Sequence, residues 1–308
     1  MGIASVFVAI GIFVLFASLQ STCTGANRWN MRDSTSIFNL TYQVPIPTEL
    51  TLGGEEVPLH LFDVRESLDR ELLVNTYWNS QTILMLKRAN RFFPIIEPIL
   101  KQNGVPDDFK YLAVAESALT QSVSPARAVG FWQILESTGR ELGLEINKEV
   151  DERYHIEKST QAACEFLLRS YSQYGSWAMA AASYNFGRTG IHRQIGRQSA
   201  SSYYDMVLGE ETERYVFRIL ALKLIFENPE LYGFHLEPED LYPPIKSFEV
   251  PVDTAISCIA QFANQFDTNY KMVKLLNPWL RENYLPQRKG KTYYIRIPKK
   301  GFREGAYR

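Results

Sequence analysis

Residues 106–117 have the sequence PDDFKYLAVAES, and this stretch decides how the chain is interpreted. A proline followed by two aspartates is typical of the first turn of a helix. The side chains at helical spacing that share one face are Phe109, Leu112, Ala113 and Glu116. The stretch therefore predicts a short helix with an apolar face that ends in a carboxyl group.

Glu116 is the charged member of this apolar face. Burial removes solvent from a carboxyl group, raises its pKa and lets it hold a proton near neutral pH. Such a group can serve as a general acid. A capping or salt-bridged glutamate near a helix end has the same spacing, so periodicity alone leaves both interpretations open.

The composition is that of a folded globular protein. Of the 308 residues, 45% are hydrophobic and 22% are charged, and the formal net charge is -1. This balance argues against a general nucleic-acid binder. Three cysteines are too few for a disulfide framework or a zinc ribbon, and there is no GxGxxG, Walker or HExxH motif.

The first 27 residues contain no charged side chain, and Ile3–Leu19 is an almost unbroken apolar run. As a helix this run spans roughly 25 Å, which suits a signal peptide or a short membrane anchor. Residues 1–27 are a cleaved signal, an uncleaved anchor or a segment lipidated at Cys23, and each alternative exports the rest of the chain. Residues 28–64 are interpreted as a linker and an N-terminal extension.

Helical periodicity continues from about Glu66 to Asn228, which predicts a mainly α domain over residues 65–236. The predicted helices are Ser80–Gln102 interrupted at Pro94 and Pro98, Pro106–Glu116, Phe131–Leu142, Ser159 or Thr160 to Tyr174, Trp177–Tyr184 and Thr212–Phe226.

Residues 237–308 are predicted to form a linker and a small βααβ unit. Short strands are expected at Phe248–Val250 and Tyr293–Ile297, with two short helices between them. Residues 281–308 hold nine Lys and Arg against two Glu. This basic run is either a solvated face or a surface that attracts an anionic polymer or membrane.

Four motifs occur in order along the chain, and the first begins at Glu116. They are Glu116–Ala118 with Ser124–Gln133, Val150–Arg153 with Ser159–Ala163, Ala182–Gly187, and Glu211–Val216. Together they resemble the signature of the soluble-lytic-transglycosylase family (glycoside hydrolase family 23), and specifically its membrane-bound lytic murein transglycosylase D group. Two positions depart from the pattern: Arg127 stands where the family often has Gly, and Phe186 where a small residue is common.

The resemblance implies a lysozyme-like, all-α catalytic domain in which Glu116 is the catalytic acid and base, with no metal or cofactor. It implies that the substrate-binding residues are Ser124, Gln133, Tyr184, Asn185, Glu211 and Tyr215. We interpret Trp132 and Trp177 as core aromatics rather than as sugar-stacking residues.

The reaction that the resemblance implies needs one carboxyl group. Glu116 would protonate the β-1,4 oxygen between N-acetylmuramic acid and N-acetylglucosamine, then deprotonate the muramyl C6 hydroxyl, which leaves a 1,6-anhydromuramyl end. An ordinary hydrolytic glycosidase uses two carboxyl groups, and no second acid stands near Glu116 in an obvious motif. The alternatives are a hydrolytic muramidase similar to goose-type lysozymes and a non-catalytic peptidoglycan-binding protein.

The C-terminal unit resembles a divergent LysM module, in which Val252 stands where Gly is usual. The resemblance implies peptidoglycan binding; the alternative is a small packing domain that shields the catalytic unit. The whole resemblance implies cell-wall turnover in the periplasm or cell envelope. Its partners would be peptidoglycan glycan strands, and also a membrane through the N-terminal segment, but not nucleic acid.

Overall fold

The computed structural model describes residues 42–305. Residues 43–305 belong to one compact unit, and residues 1–41 lie outside the described residues. The predictions for residues 1–27, including lipidation at Cys23, therefore concern residues that are not described. No helix within residues 42–305 is long and apolar enough to cross a membrane.

The described chain is mainly helical, with two small antiparallel sheets. The helices are α1 (Phe62–Tyr77), α2 (Asn79–Asn103), α3 (Lys110–Ser117), α4 (Glu136–Glu141), α5 (Ile156–Tyr174), α6 (Trp177–Phe186), α7 (Arg188–Gln198), α8 (Glu210–Glu227), α9 (Ile259–Asn264), α10 (Tyr270–Leu276) and α11 (Phe302–Gly305). The strands are β1 (Thr51–Leu52), β2 (Glu55–Glu56), β3 (Ser247–Val252) and β4 (Tyr293–Pro298).

Helix α6 lies in the centre of the helical part, where it packs against α5, α7 and α8. Its residues 177–183 are all buried, and four of them are alanines. Because an alanine side chain is a single methyl group, neighbouring helices approach α6 closely while the space stays filled. Trp132 and Trp177 are both buried in this core, which confirms their interpretation as core aromatics.

Helix α2 differs from its prediction because Pro94 and Pro98 lie inside it without interrupting it. A proline removes one helical hydrogen bond and leaves a carbonyl group in the preceding turn without its donor. Both prolines are exposed and stand four residues apart on one side of the helix, so water can hydrate the freed carbonyls.

The predicted helix over Phe131–Leu142 is shorter than expected, since α4 begins at Glu136. The preceding residues form a tight turn in which Gln133 adopts a positive φ of 45°. A bridge between Val129 and Ile134 closes this turn. The turn buries Trp132 on one side and exposes Gln133 to a cleft on the other, which a helix could not do.

Ser159 and Thr160 do not cap α5, which already begins at Ile156. Both hydroxyls lie inside the helix and donate to the Ile156 carbonyl, at 3.2 and 2.6 Å. Thr160 Oγ1 also accepts a hydrogen bond of 2.8 Å from Trp132 Nε1. The hydroxyl that suggested a cap therefore anchors the core tryptophan.

The C-terminal part has the predicted βααβ order. Strands β3 and β4 pair antiparallel in the register Val250 to Ile295, with α9 and α10 between them. Its apolar side chains form a second core that also includes three residues from the helical part: Val129, Val150 and Tyr154. The C-terminal part is thus packed directly on the helical part.

We call this contact the junction; it is formed by Glu145–Glu157 of the helical part and Pro278–Arg296 of the C-terminal part. Ion pairs surround it. Lys291 pairs with Glu145, Arg288 pairs with Glu145 and Glu149 at 3.2 and 3.3 Å, and Arg296 pairs with Glu157. The guanidinium of Arg281 lies 4.1 Å from the centre of the Tyr154 ring. Much of the basic run is therefore engaged within the molecule, so neither sequence interpretation of it, a solvated face or an external anion surface, describes these side chains.

Candidate active site

Helix α3 positions Glu116 in its last turn, one residue before its C-terminus. Phe109, Leu112 and Ala113 are all completely buried, so the predicted apolar face exists. The next residue, Ser117, donates a hydrogen bond of 2.9 Å to the Phe131 carbonyl. This bond ties the end of the helix to the turn that carries Gln133.

A cleft of about 370 Å³ opens beside Glu116, and we call it the Glu116 cleft. Five of the seven predicted site residues line it: Glu116, Ser124, Gln133, Tyr184 and Asn185. Tyr215 is buried, and its hydroxyl donates to Glu116 Oε1. Glu211 does not line the cleft, and its carboxylate is largely exposed.

Burial raises the pKa of Glu116 from 4.5 to about 7. The hydrogen bond from Tyr215 and the charge of Arg218 lower the pKa, while the charge of Glu211 raises it further. Within residues 42–305, no Lys, Arg or His forms a direct ion pair with Glu116. Loss of solvent therefore outweighs the stabilisation of the anion, and the expectation of a raised pKa is confirmed.

Two tyrosines that surround the carboxyl group remain protonated. Burial raises the pKa of both Tyr184 and Tyr215 well above 10. The Tyr184 hydroxyl donates to the Trp132 carbonyl at 2.7 Å and not to Glu116. Tyr215 is thus the hydrogen-bond donor that can stabilise the Glu116 anion after proton transfer.

Ser124 and Gln133 hold the loop that forms one wall of the Glu116 cleft. Ser124 Oγ accepts a hydrogen bond of 3.0 Å from the Ala128 amide, which closes a turn. Gln133 Nε2 donates to the carbonyls of Ser122 and Gly130, at 3.1 and 2.8 Å. Both predicted substrate-binding side chains therefore shape the wall.

Arg153 holds this loop in place through hydrogen bonds to its carbonyl groups. Its guanidinium forms two bonds with the Asp151 carboxylate, at 2.7 and 3.0 Å, and reaches the carbonyls of Arg127 and Ile134 at 3.3 Å. A side chain on Gly130 would approach the Arg153 carbonyl to 2.3 Å. The motif around Asp151 is therefore structural, and it holds the cleft wall through Arg153.

Asn185 connects α6 to α8 at the other wall. Its Oδ1 accepts a hydrogen bond of 2.7 Å from the hydroxyl of buried Thr212. Glu211 instead pairs with Arg218 at 2.9 Å. Arg218 is a site residue that the sequence analysis missed. It lies seven residues after Glu211, so two turns of helical periodicity place both on one face of α8 and could have identified it.

No cluster of three His, Cys, Asp or Glu side chains in the described part of the chain is placed to hold a metal ion. What the cleft offers is one carboxyl group that can hold a proton near neutral pH, a neutral tyrosine donor, and amide and hydroxyl groups. This arrangement can transfer a proton to a leaving oxygen and take a proton back.

Comparisons with known proteins show which families and relatives the chain is similar to. Residues 93–207 match the family described as "Transglycosylase SLT domain", and residues 248–301 match the "Soluble lytic transglycosylase C-terminal LysM-like domain". The chain is 27% identical over 290 residues to "Membrane-bound lytic murein transglycosylase D" of Escherichia coli (strain K12) and of Escherichia coli O6:H1 (strain CFT073).

These alignments cover 90% of this chain, and the chain spans about 60% of the length of each relative. The resemblance inferred from the four motifs is confirmed, and so is the fold class, a mainly α SLT domain with a small LysM-like C-terminal unit.

Proposed function

We propose that the protein is a peptidoglycan lytic transglycosylase that cleaves the β-1,4 bond between N-acetylmuramic acid and N-acetylglucosamine. The observation that carries this proposal is Glu116, a carboxyl group with a pKa of about 7 in a cleft, bonded to a neutral tyrosine. The matches to the SLT family and to a murein transglycosylase support the substrate class.

In the proposed reaction, protonated Glu116 first donates its proton to the glycosidic oxygen as the bond to the muramyl C1 breaks. The acetamido group of the substrate stabilises the positive charge at C1. Tyr215 stabilises the Glu116 carboxylate through its hydrogen bond during this interval. The carboxylate then removes the proton of the C6 hydroxyl, whose oxygen bonds to C1 and closes the 1,6-anhydro ring.

A hydrolytic reaction is the main alternative within enzymes, since it also begins with an acid. An inverting hydrolase needs a second carboxylate that activates water. Glu211 is the acid that acts electrostatically on Glu116, but it is exposed, lies outside the cleft and is paired with Arg218. This placement favours transfer to the substrate's own hydroxyl over transfer to water.

The proposal extends to the rest of the chain. The residues that contact the sugar from the cleft walls are Ser124, Gln133, Tyr184 and Asn185. Glu211 lies outside the cleft, and its charge raises the pKa of Glu116. The LysM-like unit contributes peptidoglycan binding. The relatives carry the description "membrane-bound", which supports a place in the cell envelope with export through residues 1–27.

Digestion of purified peptidoglycan sacculi, followed by mass spectrometry of the released muropeptides, tests the proposal. Anhydro ends are one water molecule lighter than reducing ends, so a transglycosylase releases the lighter series. Glu116→Gln is the control for contaminating activity. Release of reducing ends would instead identify a muramidase, and binding to sacculi with no release would identify a non-catalytic protein.

A further inference from the structure

Arg127 stands out in the loop beside the Glu116 cleft. It is exposed and adopts a φ of 63°, a left-handed conformation that side-chain-bearing residues seldom occupy. Its amide donates to the Ser124 carbonyl at 2.9 Å, and its own carbonyl accepts from Arg153. The backbone is thus held on both sides, so the side chain projects from a fixed point.

The surface next to Arg127 continues the Glu116 cleft. An open depression of about 490 Å³, which we call the rim cleft, is lined by Arg127, Arg153 and Glu136 among others. Ala126 and Leu135 line both the rim cleft and the Glu116 cleft. A polymer bound at Glu116 would therefore reach the rim cleft without a break.

The charges of the rim cleft do not cancel. Arg153 is neutralised by Asp151, and Glu136 is paired with Arg140 at 2.8 Å. Among residues 42–305, no carboxylate pairs with the Arg127 guanidinium. The rim cleft therefore presents one uncompensated positive charge. The planar guanidinium group of Arg127 matches the geometry of a carboxylate.

We propose that Arg127 binds a carboxylate carried by the muramyl substituent of the glycan strand, and so selects strands that carry this charge. The inference rests on the proposed function, because it needs a glycan in the Glu116 cleft. A strained backbone conformation that persists at a ligand site commonly reflects a role of that residue. A glycine would adopt this conformation more easily, but it would present no cation.

The carboxylate has two sources, and these are distinguished experimentally. In a peptide-free strand it is the lactyl carboxylate of muramic acid. In a peptide-bearing strand the lactyl group is an amide, and the carboxylates belong to the peptide. The third probe is the peptide-free strand converted to its neutral methylamide, which has the same length and sugar sequence.

The test measures the dissociation constant of each strand by titration calorimetry in the Glu116→Gln background, where strands stay intact. The variant Arg127→Asn removes the charge, and asparagine tolerates a positive φ, so the loop is expected to keep its shape. We expect about 3- to 10-fold weaker binding of a carboxylate strand, in the range of one exposed charge-assisted hydrogen bond. Binding of the methylamide strand stays unchanged, and Arg127→Lys gives an intermediate loss.

Loss with the peptide-free strand identifies the lactyl group, and loss confined to the peptide-bearing strand identifies the peptide. Equal loss for all three strands, or no loss for any, overturns the proposal. Thermal unfolding of each variant shows that the fold is retained. The binding measurement does not depend on turnover. If strands bind selectively but the unmodified protein never cleaves them, the proposed function is refuted and the role of Arg127 in binding is retained.

Discussion

The Glu116 cleft and the junction both enclose glutamate side chains, yet the two regions shift the pKa of the carboxyl group in opposite directions. In the cleft, burial raises the pKa of Glu116 to about 7 and a tyrosine is its hydrogen-bond partner. In the junction, burial also acts to raise the pKa of Glu145, but hydrogen bonds from Lys291 and Asn147 bring it below its ordinary value. The pKa of Glu157 is lowered in the same way, by a hydrogen bond from His155 and by the charge of Arg296.

The difference teaches that the partner, rather than burial alone, decides the chemistry of an enclosed carboxyl group. A neutral donor leaves the carboxyl group able to hold a proton at neutral pH. A cation fixes it as an anion that connects two parts of the molecule. Four variants break or sharpen this contrast.

The largest effect is expected for Glu116→Gln. The amide keeps the size and the hydrogen bond with Tyr215 but has no transferable proton, so turnover should fall by about 10²- to 10⁴-fold. Muropeptide release from sacculi measures this loss. A variant that keeps more than a tenth of the activity would show that another group is the acid.

The same variant should gain stability on the alkaline side. Between about pH 4.5 and 7 the folded chain holds the Glu116 proton while the unfolded chain has lost it. The free energy of unfolding contributed by this group therefore falls as the pH rises through this window. At pH 8 the variant should be more stable by about 3 kcal/mol, and at pH 4 this difference should disappear.

The second largest effect is expected for Arg153→Met, which acts between the two regions. It leaves the buried Asp151 carboxylate without its cation and should cost about 3 kcal/mol of unfolding free energy. It also frees the loop carbonyls that Arg153 holds, so KM should rise. Arg140→Met, which breaks an exposed pair with Glu136, is the matched control and should cost about 0.5 kcal/mol. Equal losses in urea unfolding would contradict the role of Arg153.

Tyr215→Phe should shift the pH dependence of turnover. The acid step needs protonated Glu116, so activity falls on the alkaline side as the pH passes its pKa, at about 7 in the unmodified chain. Removing the Tyr215 hydroxyl removes a group that lowers this pKa, so the alkaline limb should move upward by about one pH unit. In Tyr184→Phe the limb should stay in place, since that hydroxyl donates to Trp132. Initial rates on a soluble glycan fragment decide between these outcomes.

The smallest effect is expected at the junction, for Lys291→Met. Because Lys291 is partly exposed, the pair with Glu145 should contribute only about 0.5 to 1 kcal/mol. The pKa of Glu145 is lowered in the folded state, so this contribution is present above pH 4.5 and is lost as the pH falls below it. Thermal unfolding of the unmodified protein and the variant at pH 7 and pH 3.5 measures the difference in stability, which should be smaller at the lower pH.

Local patterns in the sequence predicted most helices and the position of Glu116, because amphipathic spacing is a property of neighbouring residues. They failed where distant contacts decide the backbone. The turn at Gln133 replaces a predicted helix because Trp132 must reach Thr160, which lies 28 positions further along the chain. The prolines in α2 were expected to interrupt it, but their exposure, which the sequence did not reveal, lets the helix continue.

The candidate site shows the same division. Periodicity identified Glu116 as a carboxyl group on an apolar face, and the family motifs added the residues that line the cleft. The hydrogen bond from Tyr215 joins residues 99 positions apart, and spacing alone could not predict it. The ion pairs of Arg288 and Lys291 were also missed, because Glu149 and Glu145, with which they pair, lie more than 130 positions earlier in the chain.

The second core, in which Val129 and Val150 pack against residues 252–297, has a consequence for the order of events during synthesis. The loop beside Glu116 is synthesised before residues 252–297, whose side chains cover its outer edge. A growing chain thus carries Glu116 long before the loop beside it has all its neighbours. The loop beside Glu116 gains the last of these neighbours only when strand β4 has been made.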